Sequence, residues 1–351
     1  MNISNILPLA LGLVIFSFLI TGILVIPFIN LLYWFKFTRR IEAPKKGKIP
    51  LFDRLHDIKA GTPVGGGILL IAVVSILFAI IFPLATYLGV FVQTAYNASL
   101  ELIVLFFTFI SFGLLGLSDD LIKIFGKGRA GASGIWFGLS RRIKFLLQWV
   151  LALSVSFVVY KYLGIHILNI PLLGRVLDLG FWYVPFGAFV IVAFSNAFNI
   201  TDGLDGLSTG LLMICLLAFA PIAAGSLDTP LSVFISLWVG ALIAFLYFNV
   251  WPARIFLGDT GSLSFGAMLG LIGLLTGSIV ALLIIGGVFV VEIASSAIQI
   301  LGWKILKRPI FPLAPLHHTL LAIGWEEPKI VTRAWLAGII LAIIGLWLAY
   351  I

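Results

Sequence analysis

Five polar motifs interrupt an otherwise apolar sequence, and acidic residues recur in them. They occupy residues 56–67, 116–120, 196–206, 248–262 and 315–319. The most unusual feature is Asp119 and Asp120, two adjacent carboxylates that directly follow a long apolar run. Neighbouring carboxylates repel each other, and they therefore imply either a divalent cation or a raised pKa. The pattern favours a Mg²⁺ site that also binds substrate phosphates, whereas a solvated acid pair at a helix end is the alternative.

Two further motifs contain glycine-spaced turns. Asp202 and Asp205 are three residues apart, and they share one helix face if their turn begins a helix. Capping of the following helix by one of these acids is the alternative. The turn at residues 256–262, which contains Asp259, is predicted to open a helix whose free N–H groups suit an anion. The second turn lacks the Gly-Lys-Ser/Thr ending of a Walker A loop, and the first is too short for an EF-hand.

Three further polar residues are of interest: two adjacent histidines in the fifth motif, and one acid that lies inside an apolar run. His317 and His318 do not predict a zinc site, because no cysteine and no suitably spaced histidine accompanies them. One of them is interpreted as a phosphate contact or proton carrier, with a merely interfacial position as the alternative. Glu292 lies within an apolar segment, where an acid is a functional candidate. The nearby Gly286 and Gly287 favour a structural role in a bent helix that faces protein.

The elements that must position these residues are predicted to be membrane helices. Hydrophobic residues form 62% of the 351 residues and charged residues only 10%, which excludes a soluble domain and a disordered chain. Long continuous apolar runs also exclude a transmembrane β-barrel. The fold class is therefore all-α, a polytopic membrane protein with about ten transmembrane helices. The predicted spans are residues 6–35, 64–91, 100–118, 145–163, 181–198, 207–225, 231–248, 262–276, 279–303 and 333–351.

The distribution of basic residues predicts the topology. Twenty of the 22 lysines and arginines fall in segments that follow odd-numbered spans. Those segments are expected to face the cytoplasm, and both termini are expected to lie outside. The net charge of +8 is thus explained by membrane topology rather than by nucleic-acid binding. All five motifs fall on the cytoplasmic side, so residues 1–351 are predicted to form one integral-membrane domain with its active site in the cytoplasmic loops.

These motifs together resemble a known family. The patterns KAGTP-x-GG, DD, NxTDGLDG, FNxxPAxIFxGDTGS and PLHH are similar to those of the polyprenyl-phosphate N-acetylhexosamine-1-phosphate transferases, over His56 to Trp335. Within that family, residues 59–63 and PLHH followed by Gly324-Trp325 and Glu327-Pro328-Lys329 resemble the phospho-N-acetylmuramoyl-pentapeptide transferases of bacterial peptidoglycan synthesis. The resemblance implies ten membrane helices, outward termini, Mg²⁺ dependence and a homodimer. It also implies a bacterial inner-membrane location with the active site facing the cytoplasm.

The implied reaction transfers phospho-MurNAc-pentapeptide from UDP-MurNAc-pentapeptide to undecaprenyl phosphate and releases UMP. The implied partners are these two substrates, the lipid bilayer and a second copy of the chain, with no nucleic acid. By resemblance, the catalytic residues are Asp119, Asp120, Asp259 and His317, and Asp259 is the Mg²⁺ ligand. The substrate-binding residues, with Phe256 stacking on uracil, are Lys59, Lys123, Lys144, Asn199, Asp202, Asp205, Asn249, Phe256, Ser262, Gln299 and His318.

Several alternatives stay open on the residues alone. A sibling transferase that uses UDP-N-acetylglucosamine is one, because Val64 and Thr319 depart from the pattern of most pentapeptide transferases. A membrane transporter is another, but the acids cluster on one face rather than at the midplane, and no inverted repeat is found. The sequence also does not separate direct phosphoryl transfer from a route through an aspartyl-phosphate intermediate.

Overall fold

The chain is an almost wholly helical membrane protein. The computed structural model describes residues 3–39, 59–87, 93–126, 139–226 and 228–351. Within these ranges it contains twelve α-helices and one two-stranded sheet. The elements are α1 (Ile3–Trp34), α2 (Gly66–Tyr87), α3 (Ala98–Phe125), α4 (Arg141–Lys161), β1 (Ile167–Ile170), β2 (Arg175–Asp178), α5 (Tyr183–Thr201), α6 (Leu207–Gly225), α7 (Thr229–Asn249), α8 (Gly258–Leu275), α9 (Ile279–Ile285), α10 (Gly287–Leu301), α11 (Leu316–Ala322) and α12 (Glu327–Ala349).

Ten helical segments of the described chain are long and apolar enough to cross a membrane. This confirms the predicted all-α, multi-pass fold with ten spans. Two of them form the centre of the bundle, since 83% of the α7 span and 89% of the α8 span are buried, against 22% for the α1 span. Aromatic rings fill the space between the central helices. Trp238 of α7 contacts Phe265 of α8 edge-on at 5.0 Å between centroids, and Phe109 of α3 stacks on Phe265 at 5.7 Å.

Helices α3 and α8 approach each other unusually closely near the polar end of the bundle. A Cβ on Gly116 would lie 2.1 Å from the carbonyl oxygen of Asp259 and 2.6 Å from the Cα of Thr260. One helical turn further along α3, the carboxylate of Asp120 accepts hydrogen bonds from the backbone N–H groups of Asp259 and Thr260, at 3.0 and 2.9 Å. The small residue at position 116 therefore allows Asp120 to cap the N-terminus of α8.

The polar motifs and the alternate loops lie at opposite ends of the bundle. At the end away from the motifs, the Tyr96 hydroxyl donates to the Leu275 carbonyl at 2.7 Å. At that same end of the α6 and α12 helices, the Tyr350 hydroxyl donates to the Pro221 carbonyl, also at 2.7 Å. The separation of the two sets of loops agrees with the alternation inferred from the basic residues.

Element boundaries differ from the predictions where polar residues extend a helix beyond its apolar part. Helix α3 continues to Phe125 rather than ending at residue 118, so Asp119 and Asp120 are helical. The ninth predicted span, 279–303, is divided at Gly286 into α9 and α10, which confirms the predicted bend. The antiparallel hairpin of β1 and β2 and the short helix α11 were not predicted. The first three residues of the motif at 56–67 lie outside the described residues.

We expect the substitution Gly116→Ala to lower the thermal unfolding midpoint of the detergent-solubilised protein. The added methyl group would meet backbone atoms of α8, which cannot move aside as a side-chain end can. Overpacking of this kind costs about 1–3 kcal/mol. The control is Gly12→Ala in α1, where nothing lies within 4 Å of the added Cβ. Equal midpoints for the two variants would contradict the close approach of α3 and α8.

Candidate active site

Residues 59–66 lie against the start of the fourth polar motif. The Phe256 N–H donates to the Pro63 carbonyl at 2.8 Å, and the N–H groups of Gly65 and Gly66 donate to the Phe256 carbonyl at 3.1 and 2.8 Å. These backbone bonds place Lys59 beside the Phe256 ring, with its Nζ 6.0 Å from the ring centroid. The ring is half-buried, and the Arg39 guanidinium also lies near it, 5.9 Å from its centroid.

Two lysines and two aspartates form a compact charge cluster at the ends of α3, α4 and α8. The Lys123 Nζ lies 3.0 Å from Asp119 Oδ2 and 2.8 Å from Asp259 Oδ2. The Lys144 Nζ lies 2.9 Å and 2.5 Å from the same two oxygens. Burial leaves the side chains of Asp119 and Asp259 only 3% and 15% exposed. The four formal charges balance, and pairing of opposite charges is the usual condition under which charged side chains are buried.

Asp120 is next to this cluster in sequence but has a different environment. Both of its oxygens are used by the start of α8: Oδ1 accepts from the Asp259 N–H, and Oδ2 accepts from the N–H and the hydroxyl of Thr260. The helix N-terminus was predicted to bind an anion, and the anion that occupies it is the carboxylate of Asp120. Gly258 precedes this point with φ 78°, a left-handed conformation that glycine adopts without strain.

The other oxygen of Asp259 is held from α5. The Asn199 amide donates to Asp259 Oδ1 at 3.1 Å and to the Ser262 hydroxyl at 2.7 Å. Asn199 and Ser262 therefore orient the Asp259 carboxylate from the side opposite the lysines. Asn249 is farther into the bundle, where its side chain accepts from the Thr209 hydroxyl at 2.9 Å and donates to a backbone carbonyl.

The turn between α5 and α6 corrects one prediction. Asp202 and Asp205 do not share a helix face, because α5 ends at Thr201 and α6 begins only at Leu207. Asp202 accepts from the Ser208 hydroxyl at 2.5 Å, and burial raises the pKa of Asp202 to about 6. Asp205 instead binds Lys59 at 2.6 Å. Gly206 has a left-handed backbone conformation, with φ 77°. It ends the turn that contains the two acids, and α6 begins at the next residue.

The two histidines lie in the buried start of α11. His317 Nδ1 is 3.0 Å from Glu292 Oε2, so Glu292 orients this ring from α10. The opposite nitrogen, Nε2, is buried and has no hydrogen-bond partner among the described residues, and a Cβ on Gly203 would lie 2.4 Å from it. The His318 ring contacts that of His317 with centroids 4.2 Å apart and the planes tilted by 55°. Gln299 was predicted to bind substrate, but in the structure its side-chain amide hydrogen-bonds to the backbone of residues 310 and 311.

A cavity of about 340 Å³ opens beside Lys59. Its walls include two tryptophans, Trp251 and Trp325, together with Gly203, His318 and Glu327. The combination of large aromatic surfaces with a buried lysine and carboxylates suits a flat ligand that carries a few polar groups. Trp251, Trp325 and Glu327 were not predicted as site residues. Trp325 and Glu327 belong to the segment after PLHH that carries the family resemblance, and Trp251 lies inside the fourth motif.

The charge cluster has the oxygen chemistry that Mg²⁺ prefers. The Oδ2 atoms of Asp119 and Asp259 converge on the same two ammonium groups, so they already bind positive charge between them. Within the described ranges, no three His, Cys, Asp or Glu side chains converge as metal ligands. Mg²⁺ is usually held by one or two carboxylates together with substrate phosphates and water. The residues present therefore fit a Mg²⁺ ion that is completed by a substrate.

Comparison with known proteins agrees with the arrangement of the site. The profile of glycosyl transferase family 4 matches residues 102–277. The phospho-N-acetylmuramoyl-pentapeptide-transferase of Geobacillus sp. (strain WCH70) is 37% identical over 338 residues, which are 95% of this chain and 96% of the relative. The enzymes of the same name from Bacillus subtilis (strain 168) and Rickettsia canadensis (strain McKiel) are 36% and 37% identical over 95% and 93% of this chain, and over 96% and 88% of their own lengths. With half of its length matched by the profile and nearly all of it aligned to these relatives, the chain belongs to glycosyl transferase family 4 and, within it, to the phospho-N-acetylmuramoyl-pentapeptide transferases.

Proposed function

We propose that this protein transfers phospho-MurNAc-pentapeptide from UDP-MurNAc-pentapeptide to undecaprenyl phosphate, which yields lipid I and UMP. The observation that supports this most directly is the position of the charge cluster of Asp119, Lys123, Lys144 and Asp259. The cluster lies beside the aromatic surface of Phe256, and the two features suit the two halves of a nucleotide diphosphate sugar. The names and the nearly full-length similarity of the relatives favour the pentapeptide donor over UDP-N-acetylglucosamine.

The chemistry is the exchange of one phosphorus–oxygen bond for another. An oxygen of the acceptor phosphate forms a bond to the phosphorus that carries the sugar. The bond from that phosphorus to the bridging oxygen breaks, and UMP leaves with the bridging oxygen and its electron pair. Such transfers depend chiefly on positioning and on stabilisation of negative charge. Lys123 and Lys144 are the groups of this chain that supply positive charge at the reacting phosphates, because their ammonium groups point into the cluster from two helices.

Mg²⁺ forms part of the proposal. Asp259 would hold it, with Asp119 as the nearest second carboxylate, and it would neutralise the pyrophosphate of the donor. Asn199 and Ser262 keep the Asp259 carboxylate oriented. Asp119 accepts from the Leu139 N–H at 2.7 Å and from both lysines. Since both of its oxygens are engaged, we favour direct transfer, in which Asp119 orients the acceptor, over attack by this carboxylate.

Location and assembly complete the proposal. The helix ends that carry the cluster also carry the basic residues expected to face the cytoplasm. We therefore place the active site at the cytoplasmic face of the bacterial inner membrane. The homodimer rests on the family resemblance, and the apolar side chains that α1 exposes, such as Ile15 and Ile23 at 59% and 70% exposure, are compatible with lipid or with a second copy.

The choice of donor substrate distinguishes the proposed function from that of a transferase that uses UDP-N-acetylglucosamine. We expect the purified protein with undecaprenyl phosphate and Mg²⁺ to release UMP from UDP-MurNAc-pentapeptide and not from UDP-N-acetylglucosamine. The measurement is UMP release with each donor in the same detergent. Efficient turnover of UDP-N-acetylglucosamine without turnover of the pentapeptide donor would leave the family membership intact and overturn the proposed substrate.

Asp259→Asn should abolish this release while the protein stays folded. The amide keeps the shape of the side chain but removes the charge that both lysines contact. We expect a loss of about 100-fold or more in kcat, the size seen when a charge-stabilising group is removed from a reacting centre. The control is Asp178→Asn on the hairpin, whose side chain is 64% exposed. Near-normal UMP release from Asp259→Asn would contradict the role given to this carboxylate.

Phe256→Ala should weaken binding of the donor, UDP-MurNAc-pentapeptide, far more than binding of the acceptor, undecaprenyl phosphate. Stacking of a base on an aromatic ring contributes ~1–3 kcal/mol, or about 5- to 150-fold in affinity. We therefore expect a rise of that order in the KM for the nucleotide sugar, with little change in the KM for undecaprenyl phosphate. Phe256→Tyr retains the ring and serves as the matched control. An unchanged donor KM in the alanine variant would show that uracil does not stack there.

A further inference from the structure

Glu327 occupies a position that none of the roles above explains. It is the first residue of α12, far in sequence from the motifs that form the charge cluster. Its Oε1 atom lies 2.5 Å from the Nζ of Lys59 and accepts from the backbone N–H of Asp205 at 2.6 Å. One carboxylate oxygen thus joins three separate parts of the chain at the edge of the cavity.

The same helix binds the turn between α5 and α6 a second time. The indole N–H of Trp335 donates to the Gly206 carbonyl at 3.2 Å. This carbonyl follows the Asp205 N–H, which donates to Glu327. The Trp335 ring also fills the space beside Gly210, where an added Cβ would lie 2.2 Å from it. Two side chains of α12 therefore hold the backbone of residues 205 and 206: Glu327 binds the N–H of residue 205, and Trp335 binds the carbonyl of residue 206.

The charges around Lys59 show that Glu327 is not needed for neutralisation. Asp205 alone balances the ammonium group, at 2.6 Å. Glu327 adds a second carboxylate to the same ammonium group, and the side chains of Lys59 and Glu327 are only 9% and 10% exposed. The Arg39 guanidinium also lies in this region, 5.9 Å from the Phe256 centroid. The second carboxylate on Lys59 therefore needs a reason other than neutralisation of that ammonium group.

Geometry supplies the reason. A lysine ammonium group has three N–H donors on a flexible stem. With two of them directed to Asp205 and Glu327, the direction of the third is fixed. The Nζ lies 5.8 Å from the Trp251 ring centroid and 6.0 Å from that of Phe256, so the ammonium group is held within reach of both rings. A side chain ordered before the ligand arrives does not lose that freedom on binding.

We propose that Glu327 is a positioning residue for the nucleotide: it fixes Lys59 and the 205–206 backbone, and through them it makes α12 the support of the donor cavity. This inference rests on the proposed function, because it takes the ligand of the cavity to be the uridine nucleotide of the donor. Glu327 acts through Lys59 and does not contact the reacting phosphorus.

A double-mutant cycle tests the proposal with UDP as the probe. The full-length protein and its Glu327→Ala, Glu327→Gln, Lys59→Ala and Lys59→Ala/Glu327→Ala variants are purified in detergent, and UDP affinity is measured by calorimetry. We expect Glu327→Ala to weaken UDP binding by about tenfold on its own and by less than about twofold in the Lys59→Ala background. The effects of two residues that act through one contact are not additive. Glu327→Gln keeps an acceptor oxygen for both donors, and we expect it to lose about threefold.

Kinetics separate positioning from general destabilisation. In the transfer assay Glu327→Ala should raise the donor KM about tenfold while kcat and the KM for undecaprenyl phosphate stay within about twofold, the pattern of lost ground-state binding. The control is Thr332→Ala, which removes a 2.8 Å hydrogen bond to the Pro328 carbonyl near the start of the same helix without touching Lys59. Its UDP affinity should equal that of the wild type. If Glu327→Ala does not fold, the isosteric Glu327→Gln decides the result.

The outcomes are distinguishable from failure of the proposed function. Unchanged UDP affinity in Glu327→Ala, or equal losses in the presence and absence of Lys59, would overturn the positioning role. A wild-type protein that does not bind UDP would overturn it as well. If UDP binding shows the expected non-additivity but no UMP is released from the pentapeptide donor, the positioning role of Glu327 stands and the proposed reaction does not.

Discussion

The contact between Asp120 and the N-terminus of α8 is the constraint on which the site depends. Three hydrogen bonds from Asp259 and Thr260 converge on one buried carboxylate, and bonds to a charged group contribute about 1.5–3 kcal/mol each. One of the three comes from the backbone of Asp259 itself, so Asp120 sets the position of the neighbouring functional carboxylate. Gly116 makes the contact possible, because any side chain there would separate α3 from α8.

The charge cluster and the donor cavity are electrically different, and the difference matches their tasks. Asp119 and Asp259 balance the two lysines in the cluster. Under the proposed function, incoming phosphates and a divalent cation exchange partners with groups that are already desolvated and paired, without exposing a lone buried charge. The cavity, by contrast, has Lys59 bound by two carboxylates, which under the same proposal gives directional contacts to a base rather than neutralisation of phosphate.

The sequence predicted the elements better than the contacts between them. Ten spans and the convergence of five motifs follow from hydropathy and from Lys/Arg placement, because both reflect local composition. The N–H groups at the start of α8 were predicted to be free for an anion, but those of Asp259 and Thr260 donate to Asp120, which only the packing of two helices reveals. The helix face assigned to Asp202 and Asp205 was wrong because the turn stays open up to Gly206. Glu327 contributed to the family resemblance, but no site role was predicted for it, since an acid at a helix start is ordinary in sequence.

The distance along the chain between Asp120 and its partners has a consequence for biosynthesis. Asp120 lies 139 residues before Asp259. At 5–20 residues per second, the ribosome needs roughly 7–28 s to reach the helix that satisfies this carboxylate. During that interval the end of α3 is already made but lacks the N–H groups of α8, and an unpaired acid is costly in hydrocarbon. The insertion of α8 is therefore the step at which the end of α3 acquires these hydrogen-bond donors.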